Sequence, residues 1–134
     1  MTIERISCAP GDSTNEDLVA VFETDGLLDL LVVDGATSVA DRDYADMDGG
    51  DVAWFVQSFA SELGKAIAAA RSQADSLRLA IHAVRRRYIE RTEGQEVLLY
   101  AQPLAALTWI RIRHLPDALD LSLYLSLIHI SEPT

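Results

Sequence analysis

The sequence predicts a layered α+β fold in which short, largely antiparallel strands pack against two long helices. Three observations support this prediction. Two apolar, strand-like runs surround Thr24-Asp25-Gly26, two segments with helical periodicity follow, and another pair of strand-like runs surrounds Leu115-Pro116-Asp117-Ala118. With 134 residues, of which 49% are hydrophobic, the chain is long enough to form one domain with a substantial core.

The N-terminal strands are predicted from apolar runs that turn residues interrupt. Ile3 to Ala9 is a candidate first strand, which Pro10-Gly11 ends. Leu18 to Glu23 and Leu27 to Val33 form a predicted hairpin. The second strand of this hairpin is apolar on both faces, so we expect it to lie at the centre of a sheet with both faces covered.

The two helices are predicted from hydrophobic periodicity at three- and four-residue steps. The first is expected to begin with Asp51 as its cap. Its buried stripe consists of Val52, Phe55, Phe59, Leu63, Ile67 and Ala70. The second begins near Asp75 and is expected to end near Gly94. Its apolar face consists of Leu77, Ile81, Val84 and Tyr88.

The C-terminal part of the chain predicts a second strand pair. Leu104 to His114 alternates between apolar and polar residues, which indicates a strand, and Leu119 to Leu123 begins its partner. The loop before the first helix, Val39 to Gly50, contains Asp41, Asp43, Asp46 and Asp48. Its spacing does not fit a calcium-binding loop, so a mobile, solvated loop is the preferred interpretation.

Composition restricts the class of partner and the compartment. The formal net charge of −10 argues against binding to nucleic acid or to an anionic membrane surface. Cys8 is the single cysteine, which favours a reducing, cytoplasmic environment. The N-terminus does not resemble a signal peptide, and no apolar segment reaches the roughly 20 residues that span a bilayer.

Two short acidic motifs lie about one hairpin apart. Asn15-Glu16-Asp17 precedes the first hairpin strand, and Asp34-Gly35 follows the second. Antiparallel pairing brings these two strand ends together, so we expect the carboxylates of Glu16 and Asp34 to converge at one edge of a sheet. Carboxylate oxygens are suited to a hard divalent cation such as Mg²⁺ or Mn²⁺. Solvated acids at strand ends are the alternative interpretation.

The order of these motifs resembles the N-terminal half of the metal-dependent serine/threonine protein phosphatases, the PPM or type 2C class. In that family an E-D pair and a D-G pair lie on adjacent strands of a β-sandwich flanked by antiparallel helix pairs. The resemblance covers Ile3 to about Tyr124 and implies a truncated half of that fold. It also implies a bacterial hydrolase that removes phosphate from phosphoserine or phosphothreonine in protein substrates with two Mn²⁺ or Mg²⁺ ions.

The same resemblance implies roles for individual residues. Asp34 would bridge the two metal ions, Glu16 would bind one of them, and the carbonyl of Gly35 would complete that side. Asp17 would support bound water without touching the metal. Asp12 stands where the family usually has a phosphate-binding arginine. The other metal aspartates of the family come from G-D, D-G and D-N motifs in its C-terminal half, which this sequence does not reach. The chain alone is therefore expected to be inactive.

Two other classes of protein remain open from the sequence. One is a non-catalytic, pseudophosphatase-like module that binds a partner or a phosphopeptide. The other is an acidic α/β domain in which the motifs occur by chance. The last ten residues, Leu125 to Thr134, resemble a translated sequencing-library adaptor, so we predict a partial phosphatase-like domain over residues 1–124 and a non-native tail over residues 125–134.

Overall fold

A computed structural model describes residues 15–36, 42–69 and 71–130 of the chain. Its strands and helices, in chain order, are β1 (Asp17–Thr24), β2 (Leu27–Gly35), α1 (Asp51–Ala68), α2 (Gln73–Arg91), β3 (Leu104–His114) and β4 (Leu119–His129). A short 3₁₀ turn, Leu99–Ala101, precedes β3. The predicted α+β class is confirmed, whereas the predicted first strand, Ile3 to Ala9, lies outside the described residues.

The four strands form one antiparallel sheet in the order β1-β2-β3-β4. β1 and β2 form a hairpin through Asp25 and Gly26, and Gly26 has a φ of 70°, which glycine adopts without steric cost. β3 and β4 form the second hairpin. The two hairpins meet where β2 pairs with β3, as in the Leu31–Trp109 pair, so the helices form an insertion between two adjacent strands.

Both helices bury the faces that the periodicity predicts. α1 packs against β1, β2, β3 and α2. Its buried stripe includes Val52, Phe55, Phe59, Leu63 and Ile67, and the buried face of α2 is Leu77, Ile81, Val84 and Tyr88. Ala70 lies outside the described residues. Neither of the described helices combines the length and apolar character that a membrane span requires.

The ends of α2 are set by side-chain hydrogen bonds. The Ser72 Oγ accepts a hydrogen bond from the Asp75 backbone N–H at 3.1 Å, which caps the N-terminus two residues before the predicted start. The helix ends at Arg91, where the Thr92 hydroxyl donates to the Tyr88 carbonyl at 2.8 Å. Gly94, the predicted cap, follows in the loop with a φ of 80°.

The helix-facing side of the sheet contains a buried charge. Asp29 on β2 has no exposed surface, and its Oδ1 accepts hydrogen bonds from Arg111 Nε at 2.8 Å and from Trp109 Nε1 at 2.7 Å. Arg111 also donates through Nη1 to the Arg71 carbonyl at 3.1 Å. Each polar atom of this network has a partner, which is the condition under which a buried charge is tolerated.

The opposite side of the sheet is apolar and uncovered by any described element. We call it the outer sheet face. Its apolar and neutral members, which alternate with the core-facing residues, are Val19, Val21, Leu28, Leu30, Val32, Leu104, Ala106, Thr108, Ile110, Ile112, Leu119, Leu121, Leu123, Leu125 and Leu127. Leu28 is buried, and the others are partly or fully exposed. The five leucines of β4 are 53–65% exposed, and Val32 at the middle of β2 is 48% exposed. The prediction that both faces of β2 are covered is therefore wrong for the described residues, because both helices pack on one side.

β4 continues into the stretch that resembles an adaptor. Leu125 to His129 pair with the first half of β3, and Ile128 and Ile130 are buried against the core. The structure thus gives this stretch a position in the sheet. The non-native origin of residues 125–134 stays a prediction.

Candidate metal site

The acidic motifs meet at one end of the β1–β2 hairpin. Asp17 lies directly opposite Asp34 in the strand register, and the Gly35 N–H donates to the Glu16 carbonyl at 2.9 Å. The side chain of Asn15 holds the entry to β1, because its Oδ1 accepts a hydrogen bond from the Asp17 N–H at 3.0 Å. The structure therefore brings Glu16, Asp17, Asp34 and Gly35 together.

The register assigns the closest carboxylate pair to Asp17 and Asp34 rather than to Glu16 and Asp34. Both aspartates are exposed, and as directly opposed residues they share the outer face. Glu16 is partly buried, and the charges that act on it come from Asp17 and Asp43. Asp43 belongs to the acidic loop before α1, so this loop contributes a further acid near the strand ends.

Crowding of like charges shifts the titration of two of these acids. A side-chain hydrogen bond with Asp17 raises the pKa of Asp34 above its ordinary value, and the negative charge of Asp17 and partial burial raise it further. Burial raises the pKa of Glu16, with additional contributions from the charges of Asp17 and Asp43. A cation bound here would relieve this repulsion.

The Asp34→Asn variant is expected to be more stable than the wild type at pH 7, by no more than about 0.5 kcal/mol because both carboxyls are exposed and screened. The folded-state pKa of Asp34 is raised, so its repulsive cost is absent below the ordinary carboxyl pKa and appears as the pH rises through the folded-state pKa. The gain should therefore vanish near pH 3. Urea unfolding in the presence of a chelator at pH 7 and pH 3 measures the difference in the free energy of unfolding between the variant and the wild type. Asp117→Asn, in an exposed turn, is the control. An equal gain in stability at both pH values would contradict the attribution of the effect to charge repulsion between Asp17 and Asp34.

Gly35 is required by packing at the start of α1. A Cβ at this position would lie 2.6 Å from Val52 Cγ1 and would overlap the Glu16 carbonyl oxygen. Glycine thus allows β1, β2 and α1 to approach closely behind Asp34. The metal-binding role of its carbonyl, which the resemblance implies, stays a prediction.

The acidic loop before α1 is organised around the carboxylate of Asp51, for which the sequence predicted a different role. Asp51 does not cap α1, since Gly50 precedes the helix and makes no side-chain cap. The buried Asp51 carboxylate instead accepts hydrogen bonds from the loop amides of Tyr44, Ala45 and Asp46 at 2.8–2.9 Å. The interpretation as a solvated acid is wrong for Asp51, which is buried, whereas Asp48 is exposed. The mobility of the loop stays a prediction. In the sequence, the cluster of Asp43, Asp46 and Asp48 before Gly49-Gly50 was the indication that this loop has a defined structure.

The donor set accounts for only part of a metal site. Within residues 15–36, 42–69 and 71–130, no group of three or more His, Cys, Asp or Glu side chains has the arrangement of a metal centre. Asp12 and Asp41 lie outside these residues. Asp120 lies opposite Arg113 in the strand register, near the other end of the sheet, so it does not add to the acidic cluster. Carboxylate oxygens are the ligand type that a hard cation prefers, but these carboxylates are too few to bind one tightly.

Two surface clefts formed by described residues lie away from these acids. One of about 580 Å³ is at the opposite end of the sheet and includes Arg71 and Arg113, and another of about 550 Å³ lies beside the end of α2 and includes Tyr88 and Gln102. Burial raises the pKa of Tyr88 to about 12, with smaller contributions from Asp51 and Tyr44.

Comparison of the chain with protein-family models, with curated proteins and with solved structures gives no significant match.

Proposed function

We propose that this chain is part of a metal-dependent phosphoprotein phosphatase domain of the type 2C class, whose substrates are phosphoserine and phosphothreonine residues. The observation that carries the proposal is the direct opposition of Asp17 and Asp34 at the end of a hairpin, with Glu16 adjacent. Two helices in the interval after Asp34 and antiparallel strands beyond them support it at the level of fold.

Asp34, Glu16 and the carbonyl of Gly35 are the proposed ligands of Mn²⁺ or Mg²⁺, and Asp17 is proposed to orient water. When bound, two such ions would make a water molecule more acidic and would neutralise the phosphoryl oxygens. The role of the chain is to present carboxylates whose mutual repulsion favours cation binding. With so few ligands, the chain is expected to bind Mn²⁺ weakly and to show no appreciable turnover.

A second candidate function is a non-catalytic module that binds a phosphopeptide or a protein partner. The position where the type 2C class usually has a phosphate-binding arginine is Asp12, whose negative charge would repel phosphate. The incomplete donor set of the described residues also favours this candidate. It predicts binding that does not depend on a divalent cation.

Titration of the chain with Mn²⁺ by calorimetry distinguishes the two candidates. The phosphatase proposal predicts weak binding, with a dissociation constant of about 10⁻⁴ to 10⁻³ M, the weak end of the range for carboxylate sites that bind hard cations. Asp34→Asn and Glu16→Gln should each weaken this binding about tenfold, which corresponds to the loss of about 1.4 kcal/mol.

The control is Asp117→Asn, which removes one negative charge from the exposed turn between β3 and β4. It separates specific ligation from a general effect of net charge, because all three variants change the charge equally. Absence of Mn²⁺ binding, or equal weakening in the control, would contradict the phosphatase proposal. A phosphopeptide that binds equally well with and without Mn²⁺ would support the interaction module.

A further inference from the structure

We propose that the cleft at the turn end of the sheet, which we call the arginine cleft, binds the phosphate group of a small organic phosphate. It lies where the end of α1 and the start of α2 meet the β1–β2 turn, and its volume of about 580 Å³ is within the usual range for a ligand pocket. Its charged and hydroxyl-bearing lining residues are Thr24, Asp25, Arg71, Ser72, Arg111 and Arg113.

The arginine cleft is separate from the candidate metal site. Thr24 of the cleft and Asp17 of the metal site lie at opposite ends of β1, roughly 23 Å apart at about 3.3 Å per residue. The cleft lies on the side of the sheet that carries the helices, whereas Asp17 and Asp34 share the outer face. The proposal is therefore independent of the proposed phosphatase function.

Positive charge is concentrated in the arginine cleft although the chain as a whole is acidic. Three of the eleven basic residues line it, and Asp25 is the one acid that does so among the described residues. Guanidinium groups that line one space repel each other, and a bound anion would offset this repulsion. The formal net charge of −10 repels anions at long range, so we expect weak, roughly millimolar affinity.

Arg71 and Arg113 have no counter-ion among the residues that the structure describes. Both are exposed, and the guanidinium of neither takes part in an ion pair or a hydrogen bond there. Asp120 lies opposite Arg113 in the strand register but forms no ion pair with it. Two guanidinium groups at one cleft are thus available to an anion, and each can donate two parallel hydrogen bonds to its oxygens.

Arg111 contributes donors that are already fixed in position. It is only 8% exposed, and its Nε and Nη2 donate to the Asp29 carboxylate at 2.8 and 3.4 Å, while Nη1 donates to the Arg71 carbonyl at 3.1 Å. These bonds use three of the five N–H groups of the guanidinium, so one hydrogen on each terminal nitrogen has no acceptor among the described residues. Because Arg111 lines the cleft, an anion there can accept these hydrogens at little cost in side-chain ordering.

The N-terminus of α2 adds to the attraction for an anion. Ser72, which caps this helix, also lines the cleft, so the first helical turn with its free N–H groups begins at the cleft wall. The positive end of the helix dipole favours negative charge at this position. Asp75 in the same turn carries a negative charge, but its carboxylate is paired with Arg78 at 3.0 Å. The helix terminus therefore supplements the three arginines.

The arrangement of donors favours a phosphate group over a carboxylate. One arginine can satisfy the two oxygens and single charge of a carboxylate, whereas a phosphate monoester has three terminal oxygens and a charge of about −1.5 to −2 at pH 7. The planar fork of arginine also matches phosphate geometry. Leu27 and Ile67 line the same cleft and offer an apolar surface to the organic part of the ligand. An organic phosphate thus matches both the charged and the apolar lining.

Titration of the full chain with phenyl phosphate and with inorganic phosphate, followed by ¹H–¹⁵N NMR at pH 7, tests the proposal. The buffer contains EDTA, so that a metal-bridged phosphate at Glu16 and Asp34 does not contribute, and NaCl keeps the ionic strength constant. We expect saturable shifts of the Arg111 Nε–H and of the Gln73 and Ala74 amides. Phenyl phosphate should bind with a dissociation constant of about 1 mM, and more tightly than inorganic phosphate because of its apolar ring.

Arg71→Gln and Arg113→Gln should each raise the dissociation constant of phenyl phosphate about tenfold. Both side chains are exposed, so the variants should retain the fold, which thermal unfolding verifies. The matched control is Arg86→Gln, which changes the net charge equally. Arg86 is exposed on α2, roughly 21 Å along the helix from Ser72, and its replacement should leave the dissociation constant unchanged.

Three results would overturn the proposal. Shifts that do not saturate up to about 20 mM of either phosphate would show that the cleft has no defined anion site. Equal weakening by Arg86→Gln would show that net charge alone attracts the ligand. Binding of succinate as tight as that of phenyl phosphate would show that the cleft does not select phosphate over carboxylate.

Discussion

Replacement of Asp29 by alanine is expected to lower the free energy of unfolding by about 3–5 kcal/mol, the usual cost of breaking a buried ion pair. The carboxylate has no exposed surface and satisfies both Arg111 Nε and Trp109 Nε1. Its removal leaves the guanidinium without its partner in the interior, where water replaces the lost hydrogen bonds poorly. A loss of this size is a large part of the 5–15 kcal/mol that stabilises a typical domain.

Urea unfolding at a fixed protein concentration, followed by circular dichroism and tryptophan fluorescence, measures this loss. Asp25→Asn serves as control, since Asp25 lies in the exposed turn near the same hairpin. Arg111→Met alone should also be strongly destabilising. The double variant Asp29→Ala/Arg111→Met should cost less than the sum of the two single effects, because it leaves no unpaired charge. Additive costs would show that the two side chains do not act as a pair.

Replacement of Asp51 by alanine is expected to destabilise the fold by about 3 kcal/mol. Hydrogen bonds to a charged group each contribute about 1.5–3 kcal/mol, and the loss is reduced where water reaches the freed amides. The carboxylate accepts three backbone N–H groups, including that of the buried Ala45. It also lies in the first turn of α1, where the helix dipole favours a negative charge.

Thermal unfolding and amide hydrogen exchange together test the role of Asp51. Exchange of the amides of Tyr44, Ala45 and Asp46 should accelerate in Asp51→Ala, whereas Asp51→Asn should have a smaller effect because its remaining carbonyl oxygen can still accept. Asp48→Ala is the control, since Asp48 is an exposed acid of the same loop. Unchanged exchange in Asp51→Ala would show that other contacts hold the loop.

The elements that the sequence predicts well depend on local periodicity. β3 has the predicted bounds, Leu104 to His114, because a continuous apolar run passes into the alternating residues Ile110 to Arg113 before the turn residues begin. The buried stripe of α1 is also predicted correctly in the described residues, since the three- and four-residue steps reflect the helical turn itself. Both features require no knowledge of distant residues.

The features that the sequence analysis missed depend on contacts between distant residues. Asp29 stands in a run of leucines, and only the pairing of β2 with β3 supplies the cation that makes its burial possible. In the candidate site, a shift of one residue in register decides whether Asp17 or Glu16 faces Asp34, because neighbouring residues alternate between faces. Local sequence cannot determine this register.

The insertion of both helices between β2 and β3 has a consequence for synthesis on the ribosome. Asp29 and Trp109 are 80 residues apart in the chain. At about 5–20 residues per second, translation leaves β2 without β3 for about 4–16 s after Asp29 has been added. During this time the nascent hairpin has an open edge, and Asp29 has neither its cation nor its indole donor. The sheet therefore cannot reach its native burial until the last third of the chain has emerged, which makes docking of β3 the late step of cotranslational folding.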